Sequence, residues 1–439
     1  MRVVLYIFMI VSSGTLFGQQ VNENLNNTTN SPATNTNVSP TITLEESVVI
    51  DSTANEMVPQ TTEDLESIQV KKAPGAKRFR FNGKSKMQDA APASPAKDIE
   101  VKEKETLYDE GYGASSVESS KSLKMQSVSV EFSNSYSSSD LQRTSRSPSD
   151  LQQLQMDQAV NYFEVNAPGS FESHYFKYVA GNYNTDLYPD LKAAEQLRPQ
   201  NSDVHVQMAG YFMIENDVDS ALIYMNKLKE SNRLTSDVVA YAGDILRSAP
   251  ENGTLITHGF DDSYGSYYAQ NSDGVRSDVT LVSLDFLQSD TYQEELEAKG
   301  FELPKSDVVD VDYLTEFCVL NVDKNLSISM TTPKEYFQAI QDKLYVAGLV
   351  FEYHEDDFNN FQRNDFLWNN SMKKTVITHP TDEKAKQLSA NYLPMLLHLR
   401  RAYRATGDNE KLNEVDEVSD HIGVQCRKYE QVQKVKSSY

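Results

Sequence analysis

Asp261, Asp262, Ser263 and Tyr264, with Asp285 further along the chain, are the residues whose types and placement could do chemistry. Each follows a short β-branched or apolar run, at 254–257 and 279–284, and Thr331-Thr332 follows a third run at 326–330. Where such runs are parallel strands, the residues after them meet at one edge of a sheet, the usual place for a ligand. Two or three carboxylates there can take a hard cation or hydrogen-bond sugar hydroxyls. The competing reading is structural, because Asp and Ser ahead of a helix satisfy its free backbone N–H groups. His258 lies beside the acids, so a His–Asp pair or a plain strand-end histidine are both open. Arg276 and Asp278 flank a strand start and read as a structural pair. No nucleophile–base pair, Walker loop or glycine-rich dinucleotide fingerprint accompanies them, so no catalytic residue, cofactor or enzymatic activity is expected. The seven histidines show no ligand spacing, so no metal site is expected either.

The elements that would position these residues alternate in type. Strands at 254–257, 279–284, 326–330 and 349–353 are separated by helical stretches at 264–271, 291–299, 313–322 and 333–346. Pro333 suits a first helical turn and Gly348 a helix end. This alternation predicts a small, mostly parallel, Rossmann-like sheet over 251–380. On its N-terminal side the period is helical. Ala209, Phe212, Ala221 and Leu228 stand about 34 residues after Tyr175, Tyr178, Leu187 and Ala194, the spacing of a tetratricopeptide (TPR) helix pair, with Pro199 at the closing position. Residues 171–233 therefore resemble two degenerate TPR units within a helical region at 151–250, and Ser236 and Asp237 read as caps of a further helix. An acidic, aromatic stretch at 355–381 reads as a flap on the core. A helical hairpin around Thr406-Gly407-Asp408 fills 381–439, with Leu393, Leu396, Leu397 and Tyr403 as its buried stripe. The fold class is thus α/β with flanking all-α hairpins.

The N-terminal third differs in kind. Met1-Arg2, an apolar run at 3–11, Ser12-Ser13-Gly14 and Leu16-Phe17-Gly18 read as a cleavable export signal over 1–18, with no cysteine at the cleavage point for a lipid anchor. Residues 19–150, rich in Asn, Thr, Ser and Pro, read as a disordered linker or stalk. The basic cluster from Lys71 to Lys86 is either a solvated patch or a grip on an envelope polymer. The 439 residues carry 41 Lys+Arg against 64 Asp+Glu, a net charge of −23, which argues against nucleic acid and anionic lipid as partners. No apolar run after the signal is long enough for a transmembrane span. Two cysteines, Cys318 and Cys426, exclude a disulfide-rich scaffold and can be a pair or two buried thiols.

One segment carries a resemblance. Asn252-Gly253-Thr254-Leu255-Ile256-Thr257-His258-Gly259-Phe260-Asp261-Asp262-Ser263-Tyr264, then Tyr268-Ala269-Gln270, Gly274-Val275-Arg276-Ser277-Asp278-Val279 and Leu281-Val282-Ser283-Leu284 resemble the C-terminal soluble region of a Bacteroidota membrane family related to protein O-mannosyltransferases. The likeness spans roughly 240–410 and retains Gly259, Asp262, Arg276 and Asp278. Phe260 stands where that family has an acid and Gly265 where it has proline, and its transmembrane catalytic half has no counterpart here. The resemblance implies a fold and an envelope setting without the transferase activity. The expectation is a periplasmic or secreted, non-enzymatic TPR-containing adaptor that binds another protein. The alternative is a carbohydrate-binding or glycan-processing accessory protein using the strand-end acids.

Overall fold

The computed structural model describes residues 113–140 and 142–438, with side chains from 120 onward. The export signal, the basic cluster and the linker up to residue 112 lie outside the described residues. All described residues fall in one compact unit. Composition set the end of the linker at 150, but α1 (Gly113–Asp140) is a helix within it. Its serine-rich sequence hides an apolar face: Phe132 is buried and stacks on Phe176 with ring centroids 4.0 Å apart, and Met125, Val128 and Tyr136 pack half-buried on the same cluster.

Helices α2 (Asp150–Asn166), α3 (Phe171–Ala180), α4 (Tyr188–Leu197), α5 (Ser202–Ile214), α6 (Val218–Glu230) and α7 (Ser236–Ser248) follow. Apart from α4, which starts with Pro189 in its first turn, their starts are written in side chains that accept the first free N–H groups. Ser149 forms a capping box with Gln152, and Ser170, Asn201, Asp217 and Thr235 cap α3, α5, α6 and α7. The cap of α7 is thus Thr235 rather than Ser236 or Asp237. Asp237 instead accepts the Thr381 amide and hydroxyl, both at 2.7 Å, and ties the C-terminal part to α7. Helices α3 with α4 and α5 with α6 form hairpins in which Ala194, Ala209 and Ala221 are fully buried, small residues that let the helices approach.

The sheet has five strands in the order β2-β1-β3-β5-β4. β1 (Thr254–Thr257), β2 (Thr280–Ser283) and β3 (Leu326–Ser329) are parallel; β4 (Leu344–Ala347) and β5 (Val350–Tyr353) form an antiparallel hairpin whose second strand pairs antiparallel with β3. The sheet is therefore mixed where a mostly parallel one was expected. The difference arises at 333–346, read as one helix. It contains two 3-10 turns, at Lys334–Phe337 and Gln341–Lys343, and then β4. Gly348 does not end a helix; at φ +60° it makes the hairpin turn.

Helix α8 (Gly259–Asn271) starts several residues earlier than its sequence suggests. It is followed by α9 (Asp290–Ala298) and α10 (Val311–Leu320). The aromatic flap is α11 (Phe361–Phe366) with a π turn at Leu367–Ser371, which buries Leu367 and Trp368, and α12 (Thr375–Thr378). The chain ends in α13 (Glu383–Ser389), α14 (Leu393–Thr406), α15 (Asn409–Gln425) and α16 (Tyr429–Ser437). Gly407, at φ +75°, closes α14 in the left-handed conformation that glycine takes most easily. Cys318 and Cys426 are separate buried free thiols. Among the described residues no helix is long and apolar enough to cross a membrane.

Candidate functional site at the strand ends

β1 delivers Thr257 and the extended His258 to the edge of the sheet, and Gly259, at φ +70°, turns the chain into α8. Asp261 and Asp262 therefore lie in the first turn of a helix and not in a loop, where their charge suits the positive helix end. Ser263 and Tyr264 follow on the same helix, and Asp285 lies just past β2.

Asp285 and His258 meet across a residue from far upstream. Arg146 Nε donates to Asp285 Oδ1 at 2.8 Å, Arg146 Nη1 reaches His258 Nε2 at 2.8 Å, and Arg146 Nη2 donates to the Asp140 carbonyl at 2.8 Å. Arg146 and Asp285 are buried, and His258 is half-buried beside them. A guanidinium only donates, so His258 Nε2 must accept and the imidazole is neutral. Burial and the Arg146 charge agree with this, pushing the His258 pKa down to about 3. Burial works to raise Asp285, but the Arg146 guanidinium and the Gly259 amide, 2.6 Å from Oδ2, hold its carboxyl below the usual range. Asp285 thus supplies the cap that α8 lacks in its own sequence, since the His258 side chain makes no cap bond.

Asp262 belongs to a second, separate cluster. It is 2% exposed and accepts from the Thr331 hydroxyl at the end of β3. Burial drives its pKa up to about 7, against hydrogen bonds from Ser329 and Thr331 that favour the ionised form. A folded-state value above the ordinary 3.8 means that the folded protein binds the proton more tightly than the unfolded chain. Stability from this group is full below pH 4 and is lost as the pH rises through about 7. The whole effect is at most about 4 kcal/mol, at roughly 1.4 kcal/mol per pKa unit. Asp262→Asn should remove this pH dependence. Urea titrations at pH 5 and pH 8 read it, and an unchanged slope in the variant would refute the assignment.

The other candidate residues are also engaged. Asp261 pairs with Lys384 at 2.7 Å. Ser263 bridges the hydroxyls of Thr257 at 3.0 Å and Ser283 at 3.1 Å. The Tyr264 hydroxyl donates to the Val206 carbonyl at 3.1 Å, fastening α8 to α5. Arg276 grips Asp278 with two bonds of 2.8 Å and donates to the carbonyls of Ala249 at 2.9 Å and Pro250 at 2.7 Å, beyond the end of α7. Asp278, held below its usual pKa by Arg276, accepts the Asn252 amide at 2.9 Å. The pair therefore fixes the turn that enters β1.

The strand-end acids are thus distributed over three internal contacts rather than gathered around one opening. Among the described residues, no three His, Cys, Asp or Glu side chains stand together as a metal set. Arg146 and Lys384 were absent from the sequence reading. Arg146 sits in a Ser-rich stretch with no periodic signal, and Lys384 is an ordinary helix-surface lysine until the fold brings it to Asp261. Comparisons with curated proteins and with solved structures gave no match. Residues 238–399, from the start of α7 into α14, match the family model TMEM260-associated domain 2, a TMEM260-like domain related to O-mannosyltransferases.

Proposed function

We propose that the protein is a non-enzymatic, exported adaptor of the cell envelope. Its TPR-like hairpins would hold another protein, and the TMEM260-like domain would support them. The observation that carries this reading is a half-buried aromatic strip across α4, α5 and α6. Tyr188 stacks on Tyr211 with centroids 4.2 Å apart, and Phe212 stacks on Tyr224 at 5.7 Å. The same helices expose Leu197 by 50% and Ile223 by 57%. Glu195 accepts from the Tyr224 hydroxyl at 2.8 Å and pairs with Lys227 at 3.4 Å, which holds the Tyr224 ring in place. Rigid aromatic rings beside exposed aliphatic side chains are the usual anchors of a protein interface. The net charge of −23 favours a basic partner segment. The alternative glycan reading through the strand-end acids is less favoured, because Asp261, Asp262 and Asp285 already serve internal contacts.

The test is co-purification from envelope extract with the wild type, Ile223→Asp and Tyr188→Ser. A stoichiometric partner retained by the wild type and weakened about tenfold or more by either variant supports the reading. Thermal melts confirm that the variants remain folded. A partner held equally well by all three chains, or no partner at all, would overturn it.

A further inference from the structure

A second feature is independent of the protein-docking reading. Between the end of α5, the outer face of α8, the edge strand β2 and α9 lies a cavity of about 230 Å³. At ~30 Å³ per water, it has room for several waters or one small ring. Its two charged residues, Glu295 and Lys299, pair with each other at 2.7 Å and so present no net charge. The Tyr267 hydroxyl is buried in its wall without a hydrogen-bond partner, a state that ordinarily calls for a ligand or an ordered water. One turn along α8, the Gln270 amide nitrogen is taken by the carbonyls of Arg276 and Val279, both at 2.8 Å, which leaves its oxygen as the acceptor. A donor and an acceptor, one helical turn apart on α8, therefore both line the cavity. The rings of Tyr292 and Phe286 and the Leu281 side chain add apolar faces.

We propose that this cavity binds a neutral, multiply hydroxylated ring of monosaccharide size. Hydroxyl groups both donate and accept, so adjacent ones satisfy Tyr267 and Gln270 together, while the C–H face of such a ring lies against the aromatic wall. An anion or a cation finds no unbalanced countercharge in this wall. The site differs from the strand-end acids in every charged residue, and its occupant would be recognised by hydrogen bonds and apolar contact without an ion pair.

Calorimetric or saturation-transfer titration of the full chain with glucose, mannose and galactose tests this, with glucosamine and glucose 6-phosphate as charged controls. At least one neutral hexose should bind more tightly than either charged sugar. Tyr267→Phe, which keeps the ring and removes the hydroxyl, should weaken binding roughly tenfold. Leu281→Trp, which fills the space from the half-buried edge strand, should abolish binding while leaving the melting temperature of Tyr267→Phe and of the wild type as references for folding. The proposal is overturned if no neutral hexose binds at millimolar concentration, if a charged sugar binds best, or if Tyr267→Phe binds as the wild type does.

Discussion

Arg146→Leu is expected to lower the unfolding free energy by about 3–5 kcal/mol, the range for stripping one partner from a buried ion pair. Asp285 would then hold a buried negative charge with only the Gly259 amide to offset it, and His258 Nε2 would lose its donor. Arg146 also bonds the Asp140 carbonyl, and its own amide donates to the Val309 carbonyl at 2.7 Å, so one side chain joins the segment after α1 to the sheet edge. The charge explanation is separable from lost packing. Asp285→Asn keeps an acceptor for Gly259 and removes the stranded charge, so the double variant Arg146→Leu/Asp285→Asn should recover part of the loss. Urea unfolding of the three variants gives the answer. A loss within ~0.5 kcal/mol of zero, the ordinary scale of an inconsequential surface change, would mean that the cluster does not hold the sheet edge.

Gly348→Ala carries the second large expectation, a loss of about 3 kcal/mol or more through backbone strain and overpacking together. The residue turns the β4–β5 hairpin at φ +60°, a conformation that alone disfavours an L side chain by roughly 1–2 kcal/mol. A methyl group there would collide with the Ser248 hydroxyl, and would stand 2.6 Å from Met372 Cε and 2.8 Å from Ser248 Cβ. Ser248 cannot swing aside without loss, since its hydroxyl donates to the Asp244 carbonyl at 2.7 Å and accepts the Leu349 amide at 3.0 Å. Asp244 in turn accepts the amides of Lys373 and Lys374, each at 2.8 Å, and the Tyr392 hydroxyl at 2.7 Å. The strain would therefore spread from the hairpin into the flap and the C-terminal helices. A thermal melt comparing Gly348→Ala with Gly407→Ala separates the contributions, because a methyl at Gly407 meets no neighbouring atom within 4 Å. Equal losses at the two glycines would rule out the steric part of the explanation.

Local signals account for what the sequence made legible. The helical hairpins announce themselves through small and large residues at helical spacing, as at Ala209, Ala221 and Leu228, all fully buried. Strands β1, β2 and β3 show as short β-branched and apolar runs. The start of α8 was not legible because Gly259-Phe260-Asp261-Asp262 reads as a loop, and the group that satisfies its first turn comes from the far end of another strand. β4 was not legible because Pro333 and the charged residues after it imitate a helix start, and only the pairing with β5 decides otherwise. The sequence brings Asp261, Asp262 and Asp285 to the strand ends but does not report their partners. Arg146 and Asp285 are 139 positions apart, a separation that no periodicity reports.

The close fit of Tyr264 against α5 has a practical corollary for protein production. Its hydroxyl would lie 2.5 Å from a Cβ placed on Gly210, and it bonds the carbonyl of Val206, so α5 is shaped to receive it. An excised fragment trimmed to the family-matched borders at 238 and 399 would discard that receiving surface together with Arg146. Such a truncation should express as an aggregating species, whereas a boundary drawn ahead of α1 keeps every element that the sheet leans upon.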